Sequence, residues 1–208
     1  MRTYVGIDEV GRGSLAGPVT VAAVGVPRRL RFRSCTSGKL RDSKKLTKRQ
    51  REAWFAYFRT RPDVCFAVAR VFPRTIDNIN ITKSANLAAF RAYRRLIEKR
   101  NSHIGYHRVF LDGGLYLGSE LRAASLPGRH IRSSTVIRGD EKYTAIKVAS
   151  IIAKVTRDRF MTRLHARFPA YGFGIHKGYG TKRHLAAIRK HGPSAIHRLT
   201  FIKKYIKI

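Results

Sequence analysis

Acidic residues are scarce in this chain of 208 residues, in which 12 Asp and Glu stand against 44 Lys and Arg and give a formal net charge of +32. Because the positive charge is spread along the whole sequence, it belongs to the folded body and favours a polyanionic partner. Nucleic acid is the first candidate, since neutralised phosphates release counterions, and an anionic membrane surface is the weaker one. Carboxylates that cluster against this background are expected to have a specific task.

Long apolar runs and paired cysteines are also missing. No stretch of about 18 apolar residues predicts a transmembrane helix, and residues 1–9 lack the apolar core of a signal peptide. Cys35 and Cys65 show neither a CxxC motif nor a Cys/His zinc pattern, and the eight histidines lack metal-binding spacing. We therefore expect a soluble, cytoplasmic protein with reduced thiols, structural or exposed histidines and no membrane partner.

Hydrophobic residues make up 43% of the chain and aromatic residues 10%, enough for one buried core in a single domain spanning residues 1–208. The apolar patterns predict strands near residues 3–8, 18–26, 64–72, 107–112 and 131–137. They predict helices near residues 48–58 after an N-cap at Thr47, 84–100, 142–168 and 181–191, with loops at 27–45 and 171–181. Strands first and helices interleaved later indicate an α/β fold with a mixed sheet.

Four of the scarce acids follow short apolar or β-branched runs, in YVGIDE, RVFLDGG and STVIRGDEK. A strand delivers its last residues to a sheet edge at such points, so we predict one group formed by Asp8, Glu9, Asp112 and Asp140. Phosphodiester hydrolysis needs an activated water and charge neutralisation, which two Mg²⁺ or Mn²⁺ ions about 3.5–4 Å apart supply. These hard cations prefer carboxylate oxygens. The sequence thus indicates a divalent-metal site in a nucleic-acid-binding enzyme.

Asp8 and Glu9 are adjacent, so on a regular strand their side chains point to opposite faces. We assign Asp8 the metal-bridging role and expect Glu9 to join through a twist at the strand end or through its backbone carbonyl. A single Asp after a strand is more often a solvated turn or a helix cap. We keep that interpretation for the remaining acids: Asp42, Glu52, Asp63, Asp77, Glu98, Glu120, Glu141 and Asp158.

The segment GRGSLAG, residues 11–17, follows the first strand. It fits neither a dinucleotide-binding turn, which a helix must follow, nor a P-loop, which needs Gly-Lys-Ser/Thr. Gly11 and Gly13 would instead let the backbone approach a sugar-phosphate closely, with Arg12 binding a phosphate. A tight turn without a binding role is the alternative.

Six segments follow one another along the chain in the order found in a known family: GIDEVGRGSLAGPVTVAAV, DSKKLT, TIDNINITKSANLAAFRAY, FLDGG, IRGDEKYTAIKVASIIAKVTRDRFM and HKGYGTKRH. From about residue 4 to residue 201 the chain resembles type 2 ribonuclease H, specifically ribonuclease HII. The resemblance implies a ribonuclease H-like fold, with a mixed central sheet flanked by helices and a C-terminal helical extension over about residues 170–208. It implies endonucleolytic cleavage of RNA in RNA/DNA hybrids, and of duplex DNA 5′ of single embedded ribonucleotides, leaving 3′-hydroxyl and 5′-phosphate ends.

The resemblance also assigns roles to individual residues. It gives two divalent ions, Mn²⁺ or Mg²⁺, to the family's four acids: Asp8, Glu9, Asp112 and Asp140. It implies that the ribose 2′-hydroxyl and the phosphate at the RNA-to-DNA junction are recognised by Gly11, Arg12 and Gly13. It implies that Tyr179 stacks on the deoxyribose that follows the ribonucleotide. A 2′-hydroxyl both donates and accepts hydrogen bonds, so a close backbone can distinguish ribose from deoxyribose.

Lys44 and Lys45 match basic residues near the scissile phosphate, and ordinary surface charge is the alternative for them. Glu141 beside Asp140 leaves open which acid faces the metal, and the GD-x-K pattern favours Asp140. The sister family, ribonuclease HIII, has an N-terminal substrate-binding domain and Glu in the fourth acidic position, so ribonuclease HII fits better. We expect a monomer, and the C-terminal LTFIKKYIKI shows no Gln-led sliding-clamp peptide.

Two other classes of protein remain as alternatives. A noncatalytic nucleic-acid-binding protein would explain the positive charge, but it would need no carboxylate cluster and would be indifferent to metal and to the 2′-hydroxyl. Another ribonuclease H-like nuclease, such as a junction resolvase, would share the acids but has no use for the GRG segment together with Tyr179.

Overall fold

The computed structural model describes residues 3–28, 30, 32, 38–99, 106–117 and 132–206. Its strands are β1 (Thr3–Val10), β2 (Val19–Pro27), β3 (Cys65–Val71), β4 (Tyr106–Asp112) and β5 (Arg132–Val136). They form one sheet in the spatial order β3-β2-β1-β4-β5. β2 pairs antiparallel with both β1 and β3, whereas β1, β4 and β5 run parallel. The sheet is therefore mixed, as the sequence predicts.

Helices are interleaved with these strands and continue after them. They are α1 (Lys48–Thr60), α2 (Pro73–Ile79), α3 (Ile81–Lys99), α4 (Gly139–Lys142), α5 (Thr144–Arg167), α6 (Phe173–His176), α7 (Lys182–His191) and α8 (Leu199–Ile202). Turns of 3-10 helix lie at Ser43–Lys45, Pro169–Tyr171 and Lys203–Tyr205. Thr47 caps α1 as predicted, because its side chain accepts from Gln50 N while the Gln50 side chain accepts from Thr47 N.

The sheet has an apolar core on each face. α3 covers one face and buries residues such as Ala92 against the strands. α1 and α5 cover the other face, where Trp54 and Ile152 are fully buried. Gly6 allows α5 to approach β1, because a Cβ at Gly6 would lie 2.1 Å from the Ala145 carbonyl carbon. The first turns of α5 are therefore held close to the end of β1.

The C-terminal helices pack on the far half of α5 through a third apolar cluster, which includes Met161, Phe173 and Ile188. A β-bridge between Ala16 and His197 joins this region to the segment that follows β1. The C-terminal residues are thereby attached to the glycine-rich segment.

The structure corrects two of the secondary-structure predictions. Residues 73–79 form α2, which the sequence reading missed; Pro73 suits the first turn of a helix, where its missing N–H is not needed. The predicted loop at 171–181 contains the short helix α6. Cys65 is a free thiol, while Cys35 and Glu120 lie outside the described residues. No described helix is both long and apolar enough to cross a membrane.

Candidate active site

Parallel pairing of β1 with β4 brings acids of the two strands to one edge of the sheet. Ile7 pairs with Leu111, and Asp8 and Asp112 are the next residues along each strand. Asp8 is only 6% exposed. Its pKa is raised well above the usual value, first by burial and then by the charges of Glu9 and Asp112. Three of the four predicted carboxylates are thus close enough to repel one another.

Glu9 stays close to this group although it follows Asp8 directly on a strand. Its backbone N–H donates to Asp8 Oδ1 at 2.8 Å, and its side chain forms an ion pair with Arg12 at 3.4 Å. Burial raises the pKa of Glu9, Arg12 partly opposes the rise, and Asp112 adds to it. Glu9 Oε2 is buried without a hydrogen-bond partner among the described residues. One carboxylate oxygen is therefore left for a cation.

Asp140, in α4, completes the predicted set and is 5% exposed. Burial raises its pKa, and the charges of Asp42 and Asp112 raise it further. Gly139 N donates to Asp112 Oδ1 at 2.6 Å, which ties α4 to the end of β4. The neighbouring Glu141 is exposed. Asp140 is therefore the acid of this pair that lies beside Asp112.

Asp42 is not the solvated acid that the sequence reading expected. It is 8% exposed, it lies close enough to Asp140 for its charge to raise the pKa of that carboxyl, and its Oδ1 accepts Lys44 N–H at 3.0 Å. The contact escaped the sequence reading because it joins segments that are distant along the chain.

Lys44 and Lys45 lie in the 3-10 turn beside Asp42, and both are exposed. The Lys44 charge partly opposes the rise in the pKa of Asp140. Lys45 Nζ lies 3.5 Å from Glu141 Oε1. The structure therefore brings Lys44 close to Asp140, whereas Lys45 pairs with the exposed Glu141.

A pair of buried hydroxyls lies behind the acids. Ser150, on α5, hydrogen-bonds the Asp8 carboxylate, and its Oγ lies 2.7 Å from Ser43 Oγ. Either hydroxyl can donate in this second bond, since each carries one proton and can also accept. The sequence does not predict a role for either serine, because isolated serines form no recognisable motif.

This donor set suits a hard divalent cation. Carboxylate oxygens are the preferred ligands of Mg²⁺ and Mn²⁺, the free Glu9 oxygen is buried, and a cation would relieve the repulsion among the acids. In the described part of the chain, no three acidic, His or Cys side chains already form a coordination set. The carboxylates would therefore have to turn toward an ion to enclose it.

The two glycines of the GRG segment have different surroundings. Gly11 has a φ of +86°, and a Cβ there would lie 2.1 Å from Arg157 Nε. A Cβ at Gly13 would meet no atom of the described residues within 4 Å. Arg12 donates to Glu9 at 3.4 Å and to Thr82 Oγ1 at 3.1 Å. Gly11 is thus constrained by the fold, whereas Gly13 faces open space.

Two buried arginines that the sequence reading did not single out hold this segment. Arg157, on α5, and Arg198, just before α8, are both 0% exposed. Their guanidiniums donate chiefly to backbone carbonyls of residues 11–18. Among 44 Lys and Arg, nothing in the sequence distinguishes these two.

Tyr179 lies half-buried beside the same segment. Lys154 Nζ and Arg157 Cζ lie 5.9 Å and 5.4 Å from its ring centroid. The preceding carbonyl, Gly178 O, accepts from Leu15 N at 2.8 Å. The structure therefore brings Tyr179 and the GRG segment, distant in sequence, into one neighbourhood.

Known proteins share both the sequence and the fold. The family profile described as ribonuclease HII matches residues 5–204. A ribonuclease HII of Caldicellulosiruptor bescii is 38% identical over 207 residues, covering 100% of this chain and 90% of that protein. The ribonuclease HII of Nitratidesulfovibrio vulgaris is 43% identical over 199 residues, covering 95% and 85%.

Solved structures are similar over nearly the whole chain. Ribonuclease H2 from Pyrococcus horikoshii superposes with a TM-score of 0.74 at 25% identity, covering 99% of this chain and 100% of that one. Ribonuclease HII of Archaeoglobus fulgidus, solved with PCNA, gives 0.72 at 26% identity, covering 99% and 97%. Bst ribonuclease HIII in complex with Mn²⁺ gives 0.72 at 22% identity, covering 98% and 69%. The fold is ribonuclease H-like, as the resemblance implied.

Proposed function

The chain belongs to the ribonuclease HII family, and we propose that this ribonuclease H also cuts duplex DNA on the 5′ side of single embedded ribonucleotides, besides acting on RNA/DNA hybrids. The products would carry 3′-hydroxyl and 5′-phosphate ends. One observation carries the proposal: Asp8 and Glu9 are gathered beside Asp112 in a chain of charge +32, where burial and the Asp112 charge raise the pKa of both Asp8 and Glu9. Like charges gathered in this way destabilise a fold, and such groups cluster at functional sites.

Four acids would hold two divalent ions, Mn²⁺ or Mg²⁺: Asp8, Glu9, Asp112 and Asp140. Bound there, the ions would activate water and neutralise the charge that develops on the phosphate. Asp8 is the more deeply buried of the two acids on β1 and would bridge the ions, while Ser150 would fix its orientation. The Mn²⁺ complex of the Bst ribonuclease HIII supports a divalent ion on this fold.

Substrate recognition would come from the two loops beside these acids. Backbone groups of Gly11 and Gly13 would contact the ribose 2′-hydroxyl, and Arg12 would bind the junction phosphate. Tyr179 would stack on the following deoxyribose. Lys44 and Lys45 would lie along the phosphate backbone, and the net charge would add strong binding that is independent of sequence.

We further propose one catalytic domain over residues 1–208, with a C-terminal extension from about residue 170, acting as a cytoplasmic monomer. A single chain carries every group named above, which supports the monomer. The Archaeoglobus protein was solved with PCNA, but LTFIKKYIKI does not support recruitment of this chain by a sliding clamp.

A labelled DNA duplex with one ribonucleotide tests the proposal, beside an all-DNA duplex and an RNA/DNA hybrid, each with Mn²⁺, Mg²⁺ or EDTA. We expect metal-dependent cleavage of the hybrid, and cleavage of the mixed duplex at one position 5′ of the ribonucleotide. Cleavage of the all-DNA duplex, or equal cleavage in EDTA, would refute the proposed chemistry. Tight binding without cleavage under any metal would favour a noncatalytic binding protein.

A further inference from the structure

Arg157 and Arg198 are buried charges that have no acidic partner in the part of the chain that the structure describes. Both are fully buried, and neither forms an ion pair within the described residues. A charge in such a place is costly unless hydrogen bonds satisfy its donors. Burial, and then the Arg157 charge, lower the pKa of Arg198 to about 9. Arg198 therefore remains protonated at neutral pH.

Arg157 connects the two loops to which substrate recognition is assigned. Its guanidinium donates to Pro18 O at 3.0 Å, Ala16 O at 3.2 Å, Ser14 Oγ at 2.8 Å and Lys177 O at 2.9 Å. Ser14 and Ala16 belong to the glycine-rich segment, Pro18 directly follows it, and Lys177 belongs to the loop that carries Tyr179. One rigid side chain therefore sets the distance between these loops.

Arg198 fastens the C-terminal region to the same segment. Its guanidinium donates to Gly11 O at 2.7 Å, Arg12 O at 2.8 Å and Gly17 O at 2.9 and 3.0 Å. Its own backbone N–H donates to Leu15 O at 2.8 Å. The GRG segment is therefore shaped by a residue almost two hundred positions further along the chain.

These bonds fix the direction of the GRG amides. The carbonyls of Gly11 and Arg12 point inward to Arg198, and the described peptides are all trans. In a trans peptide the N–H points opposite to the carbonyl, so the N–H groups of Arg12 and Gly13 point away from Arg198. That direction agrees with the open space at Gly13. The N–H groups of Arg12 and Gly13 are therefore two outward-pointing donors that lie above two buried guanidiniums. Such an arrangement suits an oxygen of a ribose or a phosphate as acceptor.

We propose that Arg157 and Arg198 are positioning residues for the RNA-to-DNA junction, holding the GRG amides outward and at a fixed distance from Tyr179. This inference rests on the proposed function, because it assigns the same two loops to the substrate. Through Arg198, the C-terminal segment would take part in substrate selection. Neither guanidinium would contact the substrate.

We define the junction preference as the ratio of kcat/KM on a duplex with one ribonucleotide to kcat/KM on an RNA/DNA hybrid. A change in this ratio measures the positioning role. Arg157→Lys and Arg198→Lys keep the charge but lose part of the hydrogen-bond fork, and we expect each to lower the ratio about tenfold. Arg189→Lys, at an exposed position of α7, is the matched control and should leave the ratio unchanged.

Ser14→Ala provides a second variant if the arginine variants do not fold. It removes one acceptor of Arg157 from the loop, together with the hydrogen bond that the Ser14 hydroxyl donates to Gly11 O at 2.9 Å, and it leaves both guanidiniums in place. We expect a loss of roughly threefold in the junction preference, because one neutral hydroxyl is removed. Circular dichroism and Tm show which variants are folded.

The outcomes separate this inference from the proposed function. If the wild type cuts neither substrate, the proposed function fails. If the wild type prefers the junction and the folded variants keep the wild-type ratio, only the positioning role is overturned. An equal loss on both substrates also overturns it, since that result indicates a general structural role.

Discussion

The Ser43 hydroxyl lies 2.7 Å from the Ser150 hydroxyl, which in turn hydrogen-bonds Asp8. Ser43 belongs to the turn that carries Lys44 and Lys45, whereas Ser150 lies on the helix packed across the sheet. The two hydroxyls therefore connect that turn to the carboxylate at the centre of the proposed metal site.

Ser150→Ala should weaken the metal site while the chain stays folded. The substitution removes the hydrogen bond that orients Asp8, and loss of such a contact typically lowers metal affinity or activity by about 10- to 100-fold. Titration of cleavage with Mn²⁺ measures the effect as a rise in the half-saturating concentration. Ser133→Ala, exposed on β5, is the control, and equal titration curves for both variants would contradict this role.

Asp8→Asn should stabilise the metal-free protein. It removes a buried charge that Glu9 and Asp112 repel, so we expect a gain of about 1 kcal/mol or more, or a rise in Tm of roughly 2–4 °C in EDTA. Mn²⁺ should then raise the Tm of the wild type more than that of the variant. A lower Tm of the variant in EDTA would contradict this account of the acids.

Gly11 and Gly13 should respond differently to alanine. Gly11→Ala meets a φ of +86° and the Arg157 side chain, so it should cost about 2 kcal/mol or more of stability. Gly13→Ala meets no described atom within 4 Å and should leave Tm nearly unchanged. Its methyl group would occupy the space proposed for the ribose, so cleavage 5′ of a ribonucleotide should fall about tenfold or more. Thermal melts beside cleavage rates separate the two effects, and full activity of Gly13→Ala would exclude close approach there.

A buried histidine pair should make stability depend on pH. Ser194 N donates to His197 Nδ1 at 2.9 Å, His197 Nε2 lies 3.1 Å from His184 Nε2, and His184 Nδ1 lies 2.9 Å from Tyr179 O. This chain of bonds requires both rings to be neutral. Burial is the main cause that lowers the pKa of His184 and of His197 from 6.5 to about 4.

Both histidines therefore take up protons on unfolding between about pH 6.5 and pH 4, so their contribution to the free energy of unfolding should fall as pH falls through that window. The raised pKa values of Asp8, Glu9 and Asp140 act in the opposite direction, because those carboxyls bind protons more readily in the native state. Urea unfolding at several pH values gives the slope of the free energy of unfolding against pH. His197→Asn should give a less positive slope than the wild type, because the carboxylates are unchanged and one histidine no longer titrates. The same slope in both proteins would contradict this assignment.

The acids at the sheet edge were accessible to sequence reasoning because strand ends leave a local pattern. Apolar runs that end in Asp8 and Asp112 predict neighbouring strand ends, and the parallel pairing of β1 with β4 agrees. Asp42 was misjudged, because its burial depends on contact with Asp140 across the fold. Nothing within its own segment indicates that contact.

The arginines were hidden for a different reason. Charged residues are expected on the surface, and 44 Lys and Arg give no sign of which two are buried. Arg157 and Arg198 can be recognised only when the loop carbonyls they satisfy are seen. Long-range hydrogen bonding of this kind leaves no periodic trace in a sequence.

Four carboxylates, Asp8, Glu9, Asp112 and Asp140, are proposed to carry out metal-dependent cleavage beside a ribonucleotide. The Mn²⁺-dependent cleavage rate of a duplex with one ribonucleotide tests this most directly, for wild type, Asp8→Asn, Asp140→Asn and the exposed control Glu141→Gln. We expect a single cut 5′ of the ribonucleotide by the wild type and the control, and loss of cleavage with retained duplex binding in the two Asp variants. Cleavage by Asp8→Asn at the wild-type rate would contradict this proposal.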